Sequence, residues 1–239
     1  MIDSLLDAIW PRRCAVCGRP ADRPGRHVCS ECLMRIPFIP AKGCCAVCGR
    51  DVEGQSEEFL CEDCIGPNAP RFDRAASAVR FEGVAREMLL GYKFNSRLYL
   101  RADFADWIEG AVRARLDTAA IDVVLPMPLT TFHRMDRGYN QSGYLADELG
   151  RRFERKVRND VLKRVGRPSR QAELHEDERR ENVKGTIAVV NAQYVRGRTV
   201  LVVDDVMTTG STLSECAKVL KEAGAGRVWC ATLARSLHT

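Results

Sequence analysis

The sequence predicts an α/β protein, a largely parallel sheet flanked by helices, behind a small N-terminal cysteine-rich module that binds metal. Three observations carry that expectation. Apolar runs such as Val200–Val203 are unbroken, as in strands buried on both faces. Strand-like and helix-like stretches alternate through the C-terminal part of the chain, the pattern of a helix-flanked parallel sheet. Nine of the eleven cysteines fall between residues 14 and 64. Gly66-Pro67-Asn68-Ala69-Pro70 is turn punctuation, so the expected units are 1–68 and 69–239.

Composition sets the limits. At 239 residues, with 45% hydrophobic and 29% charged side chains, the chain can hold one α/β domain and a smaller module. A net charge of +5 permits contact with nucleic acid or anionic substrates without requiring either. The first ten residues carry an acid where a signal peptide is basic, and no apolar stretch approaches transmembrane length. A cytoplasmic location without membrane insertion is therefore expected. Cysteines in that compartment indicate metal rather than disulfides.

Taken in order, the module comes first. Cys14-x-x-Cys17, Cys29-x-x-Cys32, Cys45-x-x-Cys48 and Cys61-x-x-Cys64 each put two thiolates on one knuckle. Two knuckles complete a tetrahedral Zn²⁺ shell with no position open to substrate, so two structural zinc sites are expected. Sequential pairing gives Cys14, Cys17, Cys29 and Cys32 as one set and Cys45, Cys48, Cys61 and Cys64 as the other. It is preferred because each set closes a short loop; a cross-braced pairing stays open. Cys44 reads as a spare thiol or as a slipped replacement for Cys45. Cys216 and Cys230 lie in apolar contexts and are expected in the core.

Ala75–Phe81 reads as a strand, followed by helices from Ala85 to about Phe94 and from Tyr99 to about Leu116. Ile121–Leu125 is a buried strand running into a loop held by Pro126 and Pro128. Within that loop Arg134 and Arg137 suit a pyrophosphate, which guanidinium groups grip bidentately. His133 is read as an ordinary loop histidine. Asn140 is placed to cap a helix reaching about Glu154. Arg158–Val165 is expected to be a strand, and the long charged stretch from Gly166 to Thr186 an active-site lid. Ile187–Val190 and Arg227–Leu233 complete the strands.

Chemistry concentrates between Thr199 and Thr212. Asp204 and Asp205 sit where the Val200–Val203 strand is expected to end, and Thr208-Thr209-Gly210-Ser211-Thr212 follows. A helix comes next, with Leu213, Cys216, Ala217 and Leu220 on one face and Gly224 placed to stop it. Backbone N–H groups converging on a helix N-terminus bind phosphate, and Gly210 lets the backbone approach closely. Carboxylates are wrong for phosphate but suit sugar hydroxyls or a bridging Mg²⁺. Together they call for a phosphorylated sugar.

This stretch resembles the phosphoribosyl pyrophosphate (PRPP) loop of type I phosphoribosyltransferases, in which four apolar residues and two acids precede Thr-Thr-Gly-Ser-Thr. The chain as a whole resembles the ComF family of competence-associated proteins. Leu5-Leu6-Asp7, Pro11, Cys14, Cys17 and Gly18 are similar to that family's opening. Pro126-x-Pro128 and Arg134-x-x-Arg137-Gly138-Tyr139-Asn140-Gln141 look like its central motif, and Gln171, Leu174, Arg180 and Asn182 its lid.

The resemblance implies a type I phosphoribosyltransferase fold behind a double zinc ribbon and a link to DNA uptake in natural transformation. It implies PRPP with Mg²⁺ as ligand, its 5′-phosphate on Thr208, Thr209, Gly210, Ser211 and Thr212 and its ribose hydroxyls on Asp204 and Asp205. Arg134 and Arg137 would hold the pyrophosphate, and Gln171 and Arg180 would belong to the lid. One position departs from oxopurine-salvage relatives: Thr208 stands where they carry a carboxylate, and a threonine hydroxyl is too weak an acid to replace it.

A second class of reading is a non-catalytic, nucleotide-sensing factor that engages single-stranded DNA or a DNA-uptake helicase. The cations Arg151, Arg152, Arg155, Lys156, Arg158, Lys163, Arg164, Arg167 and Arg170 would then track a phosphate backbone. Their alternative is an ordinary solvated helix face and lid. A transcription regulator is disfavoured, because no helix-turn-helix is recognisable. A homo-oligomer is left open.

Overall fold

The computed structural model describes residues 12–52, 54–55, 57–67, 69–94, 97–129, 138–165 and 183–236. Its main sheet is built from β1 (Arg74–Arg80), β2 (Val123–Pro126), β3 (Lys156–Val157), β6 (Thr199–Met207) and β7 (Arg227–Arg235). All neighbours are parallel, in the order β1-β7-β6-β2-β3. A separate antiparallel pair, β4 (Leu162–Arg164) with β5 (Ile187–Val189), lies beside it.

The alternation of side chains along β6 shows why the sheet is doubly covered. Leu201 and Val203 join one apolar cluster with α3 (Gly83–Phe94), α4 (Arg101–Arg115) and α5 (Gln141–Phe153). Val200 and Val202 join the other, against Leu213, Cys216, Ala217 and Leu220 of α6 (Ser211–Glu222). Cys216 and Cys230 are core residues, as their apolar contexts require. Among the described residues no helix is long and apolar enough to cross a membrane.

Local rules set the ends of α5. The Asn140 side chain accepts a hydrogen bond from the Ser142 N–H, and the helix ends at Glu154 in the left-handed conformation. Gly150 admits the returning chain, since a Cβ there would sit 2.2 Å from Val157 Cγ2. Arg158–Val165 is not one strand. Asn159 and Asp160 form a turn, pinned by Asn191 Nδ2 donating to the Asp160 carbonyl at 2.7 Å. Residues before that turn complete the parallel sheet, and residues after it form the hairpin.

The cysteine-rich segment covers the free edge of the sheet. Ile39 N–H donates to Ala78 O at 3.0 Å and Arg80 N–H to Pro37 O at 2.9 Å, so the connector between the ribbons pairs with β1. The first ribbon carries the short helix α1 (Ser30–Leu33) and sits on α4. There the buried Asp103 carboxylate accepts from the His27 N–H at 2.8 Å, while Asp106 pairs with Arg26. The second ribbon carries α2 (Glu62–Ile65) and joins the cluster on the α6 face through Cys45, Cys48 and Cys61. Ala75 N–H donates to Val47 O at 2.7 Å, and Arg115 donates to Cys45 O at 2.7 Å.

Asp103→Ala is expected to lower the unfolding free energy by about 1–3 kcal/mol in a urea titration, because it removes the buried acceptor of the His27 N–H, while Arg23 keeps Asp106 and the Val28 carbonyl.

Candidate functional site

The site is made by two neighbouring strands of unequal length. β6 pairs with β2 only as far as Val203, opposite Pro126, and Met127 N–H closes the ladder onto Val203 O at 2.8 Å. Alongside β7, however, β6 runs on to Met207, opposite Arg235. The acids therefore lie inside the strand rather than at its end, a correction to the sequence expectation. Beyond that bond β2 pairs no further with β6, so the acids are backed by β7 and open on the other side.

Alternation sends the two carboxylates different ways. Asp205 is buried and held by Lys93 Nζ at 2.8 Å and by Gln141 Nε2 at 2.9 Å. Asp204 is half-buried, accepting from Ser142 Oγ at 3.0 Å and from the Asp205 N–H at 2.9 Å. Burial, reinforced by the charge of Asp205, pushes the Asp204 carboxyl up to about 7. A cavity of ≈ 220 Å³ lies over the pair, lined by Lys93, Pro128, Gln141, Arg164, Asp204 and Thr212 among others.

Thr212 belongs to the first turn of α6, whose N–H groups have no partner within the helix. Gly210 enters the helix at φ 78°, a conformation that glycine adopts without strain. The hydroxyls of Thr209 and Ser211 hydrogen-bond each other at 2.7 Å. Across the cavity, Arg164 leaves Nε and Nη1 buried without a hydrogen-bond partner. Burial lowers its pKa, yet a guanidinium stays charged in proteins. A carboxylate, a helix N-terminus and an unpartnered cation thus share one cavity, which can take a polyhydroxylated anion.

Arg134, Arg137, Gln171 and Arg180 lie outside the described residues, as does His133. Three side chains at the site escaped the sequence reading. Lys93, at the C-terminal end of α3, is a lone lysine with no motif around it. Ser142 follows the Asn140 cap and looks like part of the capping turn. Arg164 was counted among the cations of a basic stretch.

Among the described residues, four arginines of that stretch are engaged within the chain. Arg152 pairs with Asp106 and Glu109, both at 2.8 Å, and Arg151 with Glu148 at 2.9 Å. Arg155 donates to the carbonyls of Ile121 and Ala119. Arg158 is paired with Asp160 and stacked 3.4 Å from the Tyr194 ring centroid. Arg167 and Arg170 lie outside the described residues. These contacts favour an ordinary helix face over a groove that tracks a phosphate backbone.

The cysteines fall into two sets of four, Cys14, Cys17, Cys29 and Cys32, then Cys45, Cys48, Cys61 and Cys64. Within each set the sulfurs all lie within 4.8 Å of one another. Tetrahedral Zn–S bonds of about 2.3 Å put sulfurs about 3.8 Å apart. Cys17 and Cys29 are at 3.8 Å, and Cys48 and Cys61 at 3.6 Å. The donor chemistry and spacing fit zinc, with the sequential pairing. Cys44 lies outside the set; its buried thiol donates to Pro40 O at 3.2 Å.

Comparison with known proteins agrees with this geometry. Residues 5–65 match the double zinc ribbon domain and residues 140–239 the phosphoribosyl transferase domain. Competence protein F of Haemophilus influenzae is 28% identical over 228 residues, covering 94% of this chain and 97% of that protein. The chain is thus similar over nearly its whole length to competence protein F and carries both matched domains. Another relative, the DNA utilization protein YhgH of Escherichia coli K12, is 26% identical over 83% of this chain and 94% of its own. Among solved structures, the allosteric regulatory enzyme of purine biosynthesis aligns at TM-score 0.41 and 18% identity, over 60% of this chain and 30% of that one.

Without ligand, the charge on Asp204 works against folding. A carboxyl raised from its ordinary value of 3.8 to about 7 has a penalty that grows between those pH values and is complete above the upper one. Asp204→Asn keeps an acceptor for Ser142, so it is expected to raise the melting temperature at pH 8 and to lose that advantage toward pH 4. Thermal denaturation at the two pH values checks it.

Proposed function

We propose that this ComF-like chain binds PRPP, or a closely related phosphoribosyl compound, with Mg²⁺ in the cavity over Asp204. The observation that carries the reading is the meeting of Asp204, the N-terminus of α6 and the unpartnered Arg164 in that one cavity. The 5′-phosphate would take the N–H and hydroxyl groups of Thr208 to Thr212, and the ribose hydroxyls would face Asp204. Asp205, neutralised by Lys93, would act mainly by holding the strand end in shape. Arg164, joined by Arg134 and Arg137, would meet the pyrophosphate charge. Gln171 and Arg180 would cover the ligand from the lid. Mg²⁺ would arrive with the pyrophosphate. Asp204 is the better placed of the two acids for it. Ser142 and the Asp205 N–H share its Oδ1 and leave Oδ2 without a hydrogen-bond partner among the described residues, whereas Lys93 and Gln141 take one oxygen each of Asp205.

In a transfer reaction an acceptor would bond to the anomeric carbon as its bond to pyrophosphate breaks. The chain's part is positioning and stabilising the charge that leaves. The loop carries Thr208 where oxopurine-salvage relatives have a carboxylate, so an oxopurine acceptor is disfavoured, and ligand sensing without transfer is a second reading of the same site. In either case the names of the relatives, a competence protein and a DNA utilization protein, support a role in handling DNA taken up by the cell. A cytoplasmic site of action, with single-stranded DNA or an uptake helicase as partner, belongs to the same proposal.

Calorimetric titration of the zinc-loaded protein with PRPP and Mg²⁺ tests the reading. Wild type is expected to bind, and Asp204→Asn/Asp205→Asn to lose at least tenfold in affinity, about 1.4 kcal/mol or more. Equal affinities, or no binding by wild type at millimolar ligand, would refute the site.

A further inference from the structure

Beside the second cysteine set lies a buried arginine with no carboxylate against it. Arg235, the last residue of β7, is 3% exposed. Nη1 donates to the Cys48 carbonyl at 2.7 Å and lies 3.3 Å from Met207 Sδ. Nη2 donates to Cys48 Sγ at 3.5 Å, and Nε is buried without a partner. A buried cation is costly unless a counter-charge offsets it. The anionic group on offer is the Cys48 thiolate, and four thiolates around Zn²⁺ carry a net double negative charge. We propose that Arg235 is the counter-charge of the second zinc site, and that through it this site holds the hydroxyl loop in place.

The path from cluster to loop is short. Met207 is the register partner of Arg235, accepts from the Ser236 N–H at 2.9 Å, and immediately precedes Thr208. A Cβ on Gly210 would sit 3.4 Å from Met207 Sδ, so this side chain packs under the turn that opens α6. A second cavity, of ≈ 470 Å³, has Cys48 and Cys64 together with Thr209, Gly210 and Ser211 in its lining, along with Met207 and Arg235. Cysteine cluster and loop are thus walls of one space, joined by these two side chains.

The first set is built differently. Cys17 is exposed, and the cation beside it, Arg19, is solvent-facing and also bonded to Glu31. It lies on α4, away from the loop. The two metals are therefore unequal: the first braces the outside of the α4 face, and the second is part of the floor of the site. The proposal concerns the loop's position and holds whatever that loop binds.

The full zinc-loaded chain is challenged with a chromogenic chelator while amide hydrogen exchange is followed by mass spectrometry. Wild type should release its zinc in two phases at least about tenfold apart, with exchange at residues 207–213 rising only in the slower one. Cys17→Ser, which disables the first site, should abolish the fast phase and leave 207–213 unchanged. Arg235→Met should speed the slow phase by about 10- to 100-fold and raise exchange at 207–213 before any chelator is added. Arg235→Lys should fall between. Release of the second zinc from Arg235→Met at the wild-type rate would overturn the proposal, as would faster release with 207–213 unaltered. If the methionine variant does not fold, the lysine variant and the wild-type phases decide. Loop exchange that follows the fast phase, or an Arg235→Lys protein identical to wild type in both readouts, would overturn it equally.

Discussion

The molecule depends on a mismatch of strand lengths. β6 outruns β2 at Pro126 while β7 accompanies it to Met207, and everything at the site follows from that overhang. A strand paired on one side only opens its next residues to the cavity, so Asp204 is reachable by ligand although burial disfavours its charge. The same overhang delivers the chain to Gly210 at the height where α6 must begin. Its cost is electrostatic. Two adjacent acids in a half-dry notch repel, and the fold answers by giving one of them, Asp205, a permanent cation in Lys93. Asp204 is left as the group whose charge has no fixed partner.

The cysteine ribbons belong to the same construction. They share both apolar clusters with the sheet and pair their connector with the edge of β1, so they are packed into the α/β body. Edge strands invite unwanted pairing, and this connector occupies the exposed edge. The buried charges repeat the theme. Asp103 fastens the first ribbon to α4, and Arg235 meets the second beside the hydroxyl loop. Each is an ionisable group placed where two parts of the chain must not separate.

What could be read from the sequence was whatever local pattern encodes. The unbroken run Val200–Val203, the period of α6, the Asn140 cap and the four Cys-x-x-Cys knuckles each follow from short-range rules, and the structure contains them. The two cysteine sets were legible because each closes within a short loop. Partners distant in sequence were not. Lys93 reaches Asp205, and Arg235 reaches Cys48, only after the sheet has formed, and neither has a local signature. The end of β6 was misjudged because acids usually stop a buried strand. Here β6 continues past them because β7 pairs with it as far as Met207, a long-range partner that single-strand patterning cannot register. Arg164 was hidden for a related reason: it lies in a charged stretch but turns inward on a hairpin whose pairing is long-range.

The most direct test of the overhang as a ligand site is a crystal structure of the zinc-loaded protein soaked with PRPP and Mg²⁺. The expected density has the 5′-phosphate at the N-terminus of α6, against Ser211 and Thr212, and ribose hydroxyls at Asp204. Ligand bound instead in the larger cavity beside Cys48, or absent from both under conditions where the crystals diffract unchanged, would contradict it.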